Sequence, residues 1–248
     1  TGFVKHKLLF GVDARRLKER TDLGSDLDIN PFNLYNPVYG NTPLFALSGG
    51  STFPLGRQPD SRQSLQGVYV QDQLRAGPLI FTAGLRHDKV INELEGSQTQ
   101  SDTAISKRFG LVFETPWGIN PYISYADSFN PVFGSNVCAG GFCRPVRGEL
   151  HELGFKYQIT PKSAFNAAIY ETTEKNRLMT GPDPLFQAQV GEAKVKGLEL
   201  EYLGEVMPNL SIIASYSYID ARITVGDFPG GRLDGIPANY ASLWAKYQ

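Results

Sequence analysis

The stretch Gly67–Asp88, GVYVQDQLRAGPLIFTAGLRHD, decides how the rest of the chain is read. It is two strands around a very short turn. Leu79, Phe81, Ala83 and Leu85 share one parity, and Thr82, Gly84, Arg86 and Asp88 share the other. Strand side chains alternate between faces, so the first set makes an apolar surface and the second a polar one. Before the turn, Val68 and Val70 oppose Tyr69, Gln71 and Gln73. The turn falls at Arg75-Ala76-Gly77-Pro78, with Pro78 at a strand start, where its missing N–H is tolerated.

The same unit repeats along the chain. Strand-like runs fall at 6–20, 62–75, 79–95, 104–115, 119–128, 148–159, 163–178, 190–203, 209–224 and 239–248, and no amphipathic helix stands out. Several runs reach or exceed the ~9–11 residues that a tilted strand needs to cross a bilayer. The connections alternate in length, long at 21–61, 96–103, 129–147, 179–189 and 225–238, short at 76–78, 116–118, 160–162 and 204–208. Up-and-down membrane barrels have tight turns at one end and loops at the other.

Parity agrees. Leu153, Phe155 and Tyr157 oppose Glu152, Gly154, Lys156 and Gln158, and Leu198, Leu200 and Tyr202 oppose Gly197, Glu199 and Glu201. In the ninth run Leu210, Ile212, Ala214, Tyr216 and Tyr218 oppose Ser211, Ser215 and Ser217, with Ile213 the exception. The expected fold is all-β, an antiparallel up-and-down transmembrane β-barrel, here a partial barrel of about ten strands spanning residues 1–248. Leu79, Phe81, Leu85, Phe155, Leu198, Leu200 and Ile212 are expected to face lipid, and Arg86, Lys156, Glu199 and Glu201 the lumen. A soluble β-sandwich also alternates, but it leaves a connection of about 41 residues unexplained, which is uncommon in compact domains.

Formal net charge is −1, so no basic field points to nucleic acid. No apolar run approaches the ~18 residues of a membrane helix, which leaves a strand-built membrane protein open. The first residues lack the charged start and apolar core of a secretory leader, so the sequence reads as mature, cytosolic or a fragment.

Signals for chemistry are weak. His6, His87 and His151 are far apart and unpaired in ligand spacing, and no nucleophile elbow or zinc-protease motif occurs. The glycine pairs at 49–50, 140–141 and 230–231 lie in expected loops without a following helix to hold phosphate. Cys138-Ala-Gly-Gly-Phe-Cys143 has enough slack for a disulfide closing a small loop; free thiols are the alternative, and a metal site would need more ligands. The long connections are rich in aromatic and cationic residues. Tyr35 and Tyr39 in the first, and Phe129, Phe133, Phe142, Arg144 and Arg147 in the middle one, suit a mouth for a bulky, hydrogen-bonding ligand. Packing of loop aromatics on each other explains them equally well.

Several pieces carry a resemblance: GVYVQDQL with AGLRHD, then PYISYADSFNP from Pro121, ELGFKY from Glu152, AIY from Ala168 with Lys175-Asn176, GEAKVKGLELE from Gly191, ASYSY from Ala214 and PANYASLW from Pro237. In this order they resemble the C-terminal half of TonB-dependent outer-membrane siderophore receptors, with the ferric-hydroxamate (ferrichrome) type the nearest in look. The family's plug domain, TonB box and terminal aromatic strand are not among these residues, and its barrels have about twenty-two strands. The resemblance therefore implies an internal barrel fragment without the plug. It implies a protein of the bacterial outer membrane that binds a ferric siderophore at its outer mouth, contacts outer-membrane lipid, and imports the chelate through TonB acting on the plug. It implies no covalent chemistry, no metal held by protein ligands and no cofactor, the iron arriving inside the chelate. The alternatives are a passive porin or small self-contained barrel, an outer-membrane enzyme with a serine beside His87 or His151, and a soluble β module. The first requires the first and last strands to pair.

Overall fold

A computed structural model of the chain describes residues 4–20, 22–26, 35–36, 52–57, 59–96, 99–133, 138, 142–180, 187–189, 191–226 and 229–247. Ten long strands form one antiparallel sheet: β1 (Val4–Glu19), β4 (Ser61–Ala76), β5 (Leu79–Leu94), β6 (Thr99–Phe113), β7 (Ile119–Asn130), β8 (Val146–Thr160), β9 (Ser163–Lys175), β12 (Glu192–Met207), β13 (Leu210–Val225) and β14 (Asn239–Tyr247). Two small hairpins, β2 (Asp22–Asp26) with β3 (Thr52–Arg57) and β10 (Leu178–Thr180) with β11 (Gln187–Gln189), stand in the connections. Each long strand pairs with its neighbour in the chain order, and the sheet ends at β1 and β14 without a ladder between them. A self-contained ten-strand barrel would need that ladder.

The opening hairpin sits where alternation places it. Ser61–Ala76 pairs Leu79–Leu94 without a slip, from Ser61↔Leu94 to Ala76↔Leu79. Gly77 takes φ 59°, a left-handed conformation that costs glycine little, and this lets the chain reverse in two residues. Leu79, Phe81 and Leu85 lie on the exposed apolar face, with Phe10 and Val12 of β1 each 79% exposed on the same side. The register carries this face to Ile123, Leu153, Ile169, Leu198 and Leu243, while Arg86, Lys156, Glu199 and Glu201 fall on the other.

Three sequence expectations need correction, the first being the short connection expected at 204–208, which is strand through Met207 and turns at 208–209. The sixth strand begins at Thr99 rather than 104, so the connection expected at 96–103 shrinks to 95–98 and the alternation of long and short connections fails there. Thr99, Gln100, Ser101, Asp102 and Thr103 are polar on both parities and give no periodic signal, yet they continue the ladder with β5 as far as Glu93. The run expected to reach 178 stops at Lys175, where Asn176 takes φ 58°.

The polar face is closed by cross-strand pairs of aromatic on glycine. Tyr69 lies against Gly11, Tyr122 against Gly154 and Tyr170 against Gly197, each glycine leaving the space a ring fills. Arg86 uses the same device, crossing over Gly67 of β4 to reach Asp13 of β1 at 2.8 Å while binding Asp88 at 2.9 Å. Toward the loop end, Leu233 of the last connection folds onto Ala193, Ala221 and Ile223 and forms a small apolar core on this face.

Candidate functional site

Strands of 15 or 16 residues, such as β4, β5, β6 and β12, exceed the ~9–11 that a crossing requires. Their loop-side ends therefore rise above the apolar zone, and the mouth is built there. The side chains of Gln100 and Asp102 project from β6, Asn176 follows β9, and Arg147 stands near the start of β8. With Phe142, Arg144 and Pro145 from the middle connection they line a hollow of about 420 Å³.

Its frame is hydrogen-bonded. Gln100 Nε2 donates to Asp102 Oδ2 at 2.7 Å and to the Cys143 carbonyl at 3.3 Å. Asn176 Nδ2 donates to the Pro145 carbonyl at 3.0 Å. Gln189 binds Arg144 twice, accepting from its N–H at 2.9 Å and donating to its carbonyl at 2.8 Å, and also donates to the Asn176 carbonyl at 2.9 Å. The loop that holds Phe142 is closed by a Cys138–Cys143 disulfide with an S–S distance of 2.10 Å. Arg147 lies over the Phe129 ring at 5.5 Å and donates to the Thr103 carbonyl at 3.1 Å. The backbone around the hollow is thus pinned by amide side chains, and the Arg144 side chain has no acid among the ion pairs of the described residues.

Of the residues singled out in the sequence, Phe142, Arg144 and Arg147 meet at this hollow, and Phe129 joins them through Arg147. Phe133 is half-buried just after β7 and does not line it. Tyr35 is 95% exposed in the first connection, and Tyr39 lies outside the described residues. The frame residues Gln100, Asp102, Asn176 and Gln189 were missed. Nothing local flags any of the four, since Gln100 and Asp102 lie in a stretch that is polar on both parities.

The histidines have other partners. His151 Nε2 bonds Glu149 at 2.8 Å and packs edge-on against Tyr125, on the same parity as Leu153, and His6 bonds Asp72 at 2.7 Å. Among the described residues no group of three His, Cys, Asp or Glu is placed to hold a metal ion.

A long-stranded antiparallel wall with one apolar face, tight turns at one end and a polar mouth at the other defines a membrane β-barrel. The whole chain, residues 1–248, matches the family described as "TonB dependent receptor-like, beta-barrel", and it belongs to that family of outer-membrane receptors. It is 31% identical over 258 residues to the ferrichrome outer membrane transporter/phage receptor of Escherichia coli (strain K12), covering 100% of this chain and 34% of that protein. It is 31% identical over 256 residues to the ferrioxamine B receptor of Salmonella typhimurium, covering 100% of this chain and 35% of the relative. The closed-form crystal structure of the ferric-catecholate import receptor Fiu of E. coli K12 superposes with a TM-score of 0.79 at 21% identity, over 100% of this chain and 40% of that one. The chain spans about a third of the length of these curated relatives.

Proposed function

We propose that the complete receptor captures a ferric siderophore at the mouth formed by Phe142, Arg144, Arg147, Asn176, Gln100 and Asp102, and imports it with energy delivered through TonB. The observation that carries this reading is the conjunction of an amide-framed hollow of about 420 Å³ with whole-chain similarity to receptors named for ferrichrome and ferrioxamine B. A ferric chelate offers carbonyl and oxygen acceptors around an apolar rim. Arg144 and Asn176 supply donors for the first, Phe142 a ring for the second. The chelate brings the iron ligands, so the wall needs none. The apolar face, from Phe81 through Leu153 to Leu200, contacts outer-membrane lipid, where burying such side chains is favourable.

The test uses the complete receptor in an outer membrane, with a panel of ferric siderophores including ferrichrome and ferrioxamine B. At least one chelate binds and enters only in a TonB-positive strain, and combined Phe142→Ala and Arg144→Ala weakens its binding about ten-fold, or ~1.4 kcal/mol. TonB-independent leakage of small solutes with no chelate bound would replace this reading with a passive pore.

A further inference from the structure

We propose that the junction between β6 and β7 is a latched joint in the barrel wall, and that Arg147 is a latch across its unpaired stretch. β5 and β6 pair at fifteen positions and β7 and β8 at twelve, whereas β6 and β7 pair at five, from Arg108↔Ala126 to Val112↔Tyr122. Both ends of this short ladder have a physical cause. Toward the turn, the next residue of β7 is Pro121, which has no N–H to give. Toward the loops, the Asp127 side chain takes the Lys107 N–H at 3.3 Å, where a backbone partner would continue the register.

Beyond that point β6 runs on to Thr99 against β5, and β7 to Asn130 against β8, without pairing each other. In an antiparallel pair the N–H and C=O of every second residue point to the same neighbour. With Lys107 facing β7, the backbone groups of Ile105 and Thr103 face the gap as well. Across it stands Arg147 of β8. Its guanidinium reaches past β7, lies over Phe129 and donates to the Thr103 carbonyl at 3.1 Å. Hollows of about 360 Å³ and about 280 Å³ flank the gap, and both are lined by Ser106 and Asp127.

The wall is therefore two well-laddered blocks, β1 with β4 to β6 and β7 to β14, joined by five pairs near the turn end and, toward the mouth, by side-chain bonds: Asp127 to the Lys107 N–H, Arg147 to the Thr103 carbonyl, and Gln100 and Gln63 to the Cys143 and Val132 carbonyls, each at 3.3 Å. The disulfide-closed connection hangs from β7 and β8, and Gln100 of β6 ties its Cys143 carbonyl back to the first block. Release of Arg147 removes the bond that spans the unpaired stretch and loosens the seam there, while the turn ends stay joined.

Hydrogen exchange on the complete receptor in lipid vesicles tests the joint directly. Backbone amides of 101–107 and 127–130 exchange at least about ten-fold faster than those of 63–70 and 149–154, because local opening of a short ladder is cheaper than that of a long one. Arg147→Gln raises exchange at 101–107 and 127–130 about five-fold further and leaves 63–70 unchanged, with Arg147→Lys intermediate. Paired Ser106→Cys and Ser128→Cys, oxidised across the gap, slow exchange there to the flanking level. Seam amides as slow as the flanks in the unmodified receptor overturn the joint. An Arg147 variant that keeps the heat-modifiable migration of a folded barrel, yet leaves exchange at 101–107 unchanged, overturns the latch. Should Arg147→Gln fail to fold, Arg147→Lys carries the same comparison, since it keeps the charge and loses the fork.

Discussion

Two neighbouring rows on one face of the wall differ completely in chemistry. Ile123, Leu153, Ile169, Leu198 and Tyr218 are successive partners across five strands, and all but the last lack any polar side-chain atom. Two residues further along each strand, about 6.6 Å away, the partners are Tyr125, His151, Glu171, Lys196 and Asp220. The second row starts a charged collar. Glu171 accepts from Lys194 at 2.8 Å and lies 3.2 Å from Lys196, Asp220 holds Arg222 at 3.0 Å, and Glu149 holds His151 at 2.8 Å. Alternation decides which face a side chain takes, and height along the strand decides whether that face is apolar or charged. A collar of paired charges is expected where the wall leaves the apolar layer, because isolated charges within that layer are expensive.

The contrast can be broken most sharply by one substitution in each row of the same strand. Ile169→Arg places a charge in the apolar belt and is expected to cost roughly 2–4 kcal/mol, against under about 1 kcal/mol for Thr173→Arg on the same parity within the collar. Urea titrations of the complete receptor refolded into vesicles measure both. Equal costs would mean that the belt does not end between Ile169 and Thr173.

The face behind the two rows is governed by fit rather than by height. A Cβ at Gly197 would lie 2.4 Å from the Tyr170 ring, so Gly197→Ala must displace the ring and should cost about 1–3 kcal/mol. At Gly84 of the same face a Cβ meets its nearest atoms at 3.6 Å, ordinary contact, and Gly84→Ala should cost clearly less. The same titration separates them, and a Gly84 variant as damaging as the Gly197 one would discard the ring-on-glycine account.

Smaller effects belong to the collar itself. Glu171→Gln removes the acceptor shared by Lys194 and Lys196, and with all three about a third or more exposed the loss should stay under about 1 kcal/mol and shrink in high salt. A loss that is independent of salt would point to packing instead of charge. The smallest effect lies at the turn end, where Arg75 binds the Glu114 carboxylate and holds it below the usual carboxylate range. A carboxyl with a depressed folded pKa stabilises above its unfolded value and loses that contribution as pH falls through the folded one. The difference in melting temperature between the unaltered receptor and Glu114→Gln should therefore be visible near neutral pH and fade below about pH 4. A gap that widens on acidification would reverse the assignment.

Much of the wall was legible from residue order. Periodicity two with tight turns at Gly77-Pro78 and Pro161-Lys162 determines strands, their antiparallel pairing and the face each residue takes, because each of these is a local property of the chain. It also contains the height of the belt, in the step from Ile169 to Glu171 and from Leu198 to Lys196. It does not contain the extension of β6 back to Thr99, since a strand standing in water needs no alternation. Nor does it contain the reach of Arg86 over Gly67 to Asp13, the meeting of Asn176 with Pro145, or the latch from Arg147 to Thr103. Those contacts join residues 31 to 73 positions apart. They depend on the registers of several ladders at once and on where one ladder stops, quantities that only the assembled sheet defines.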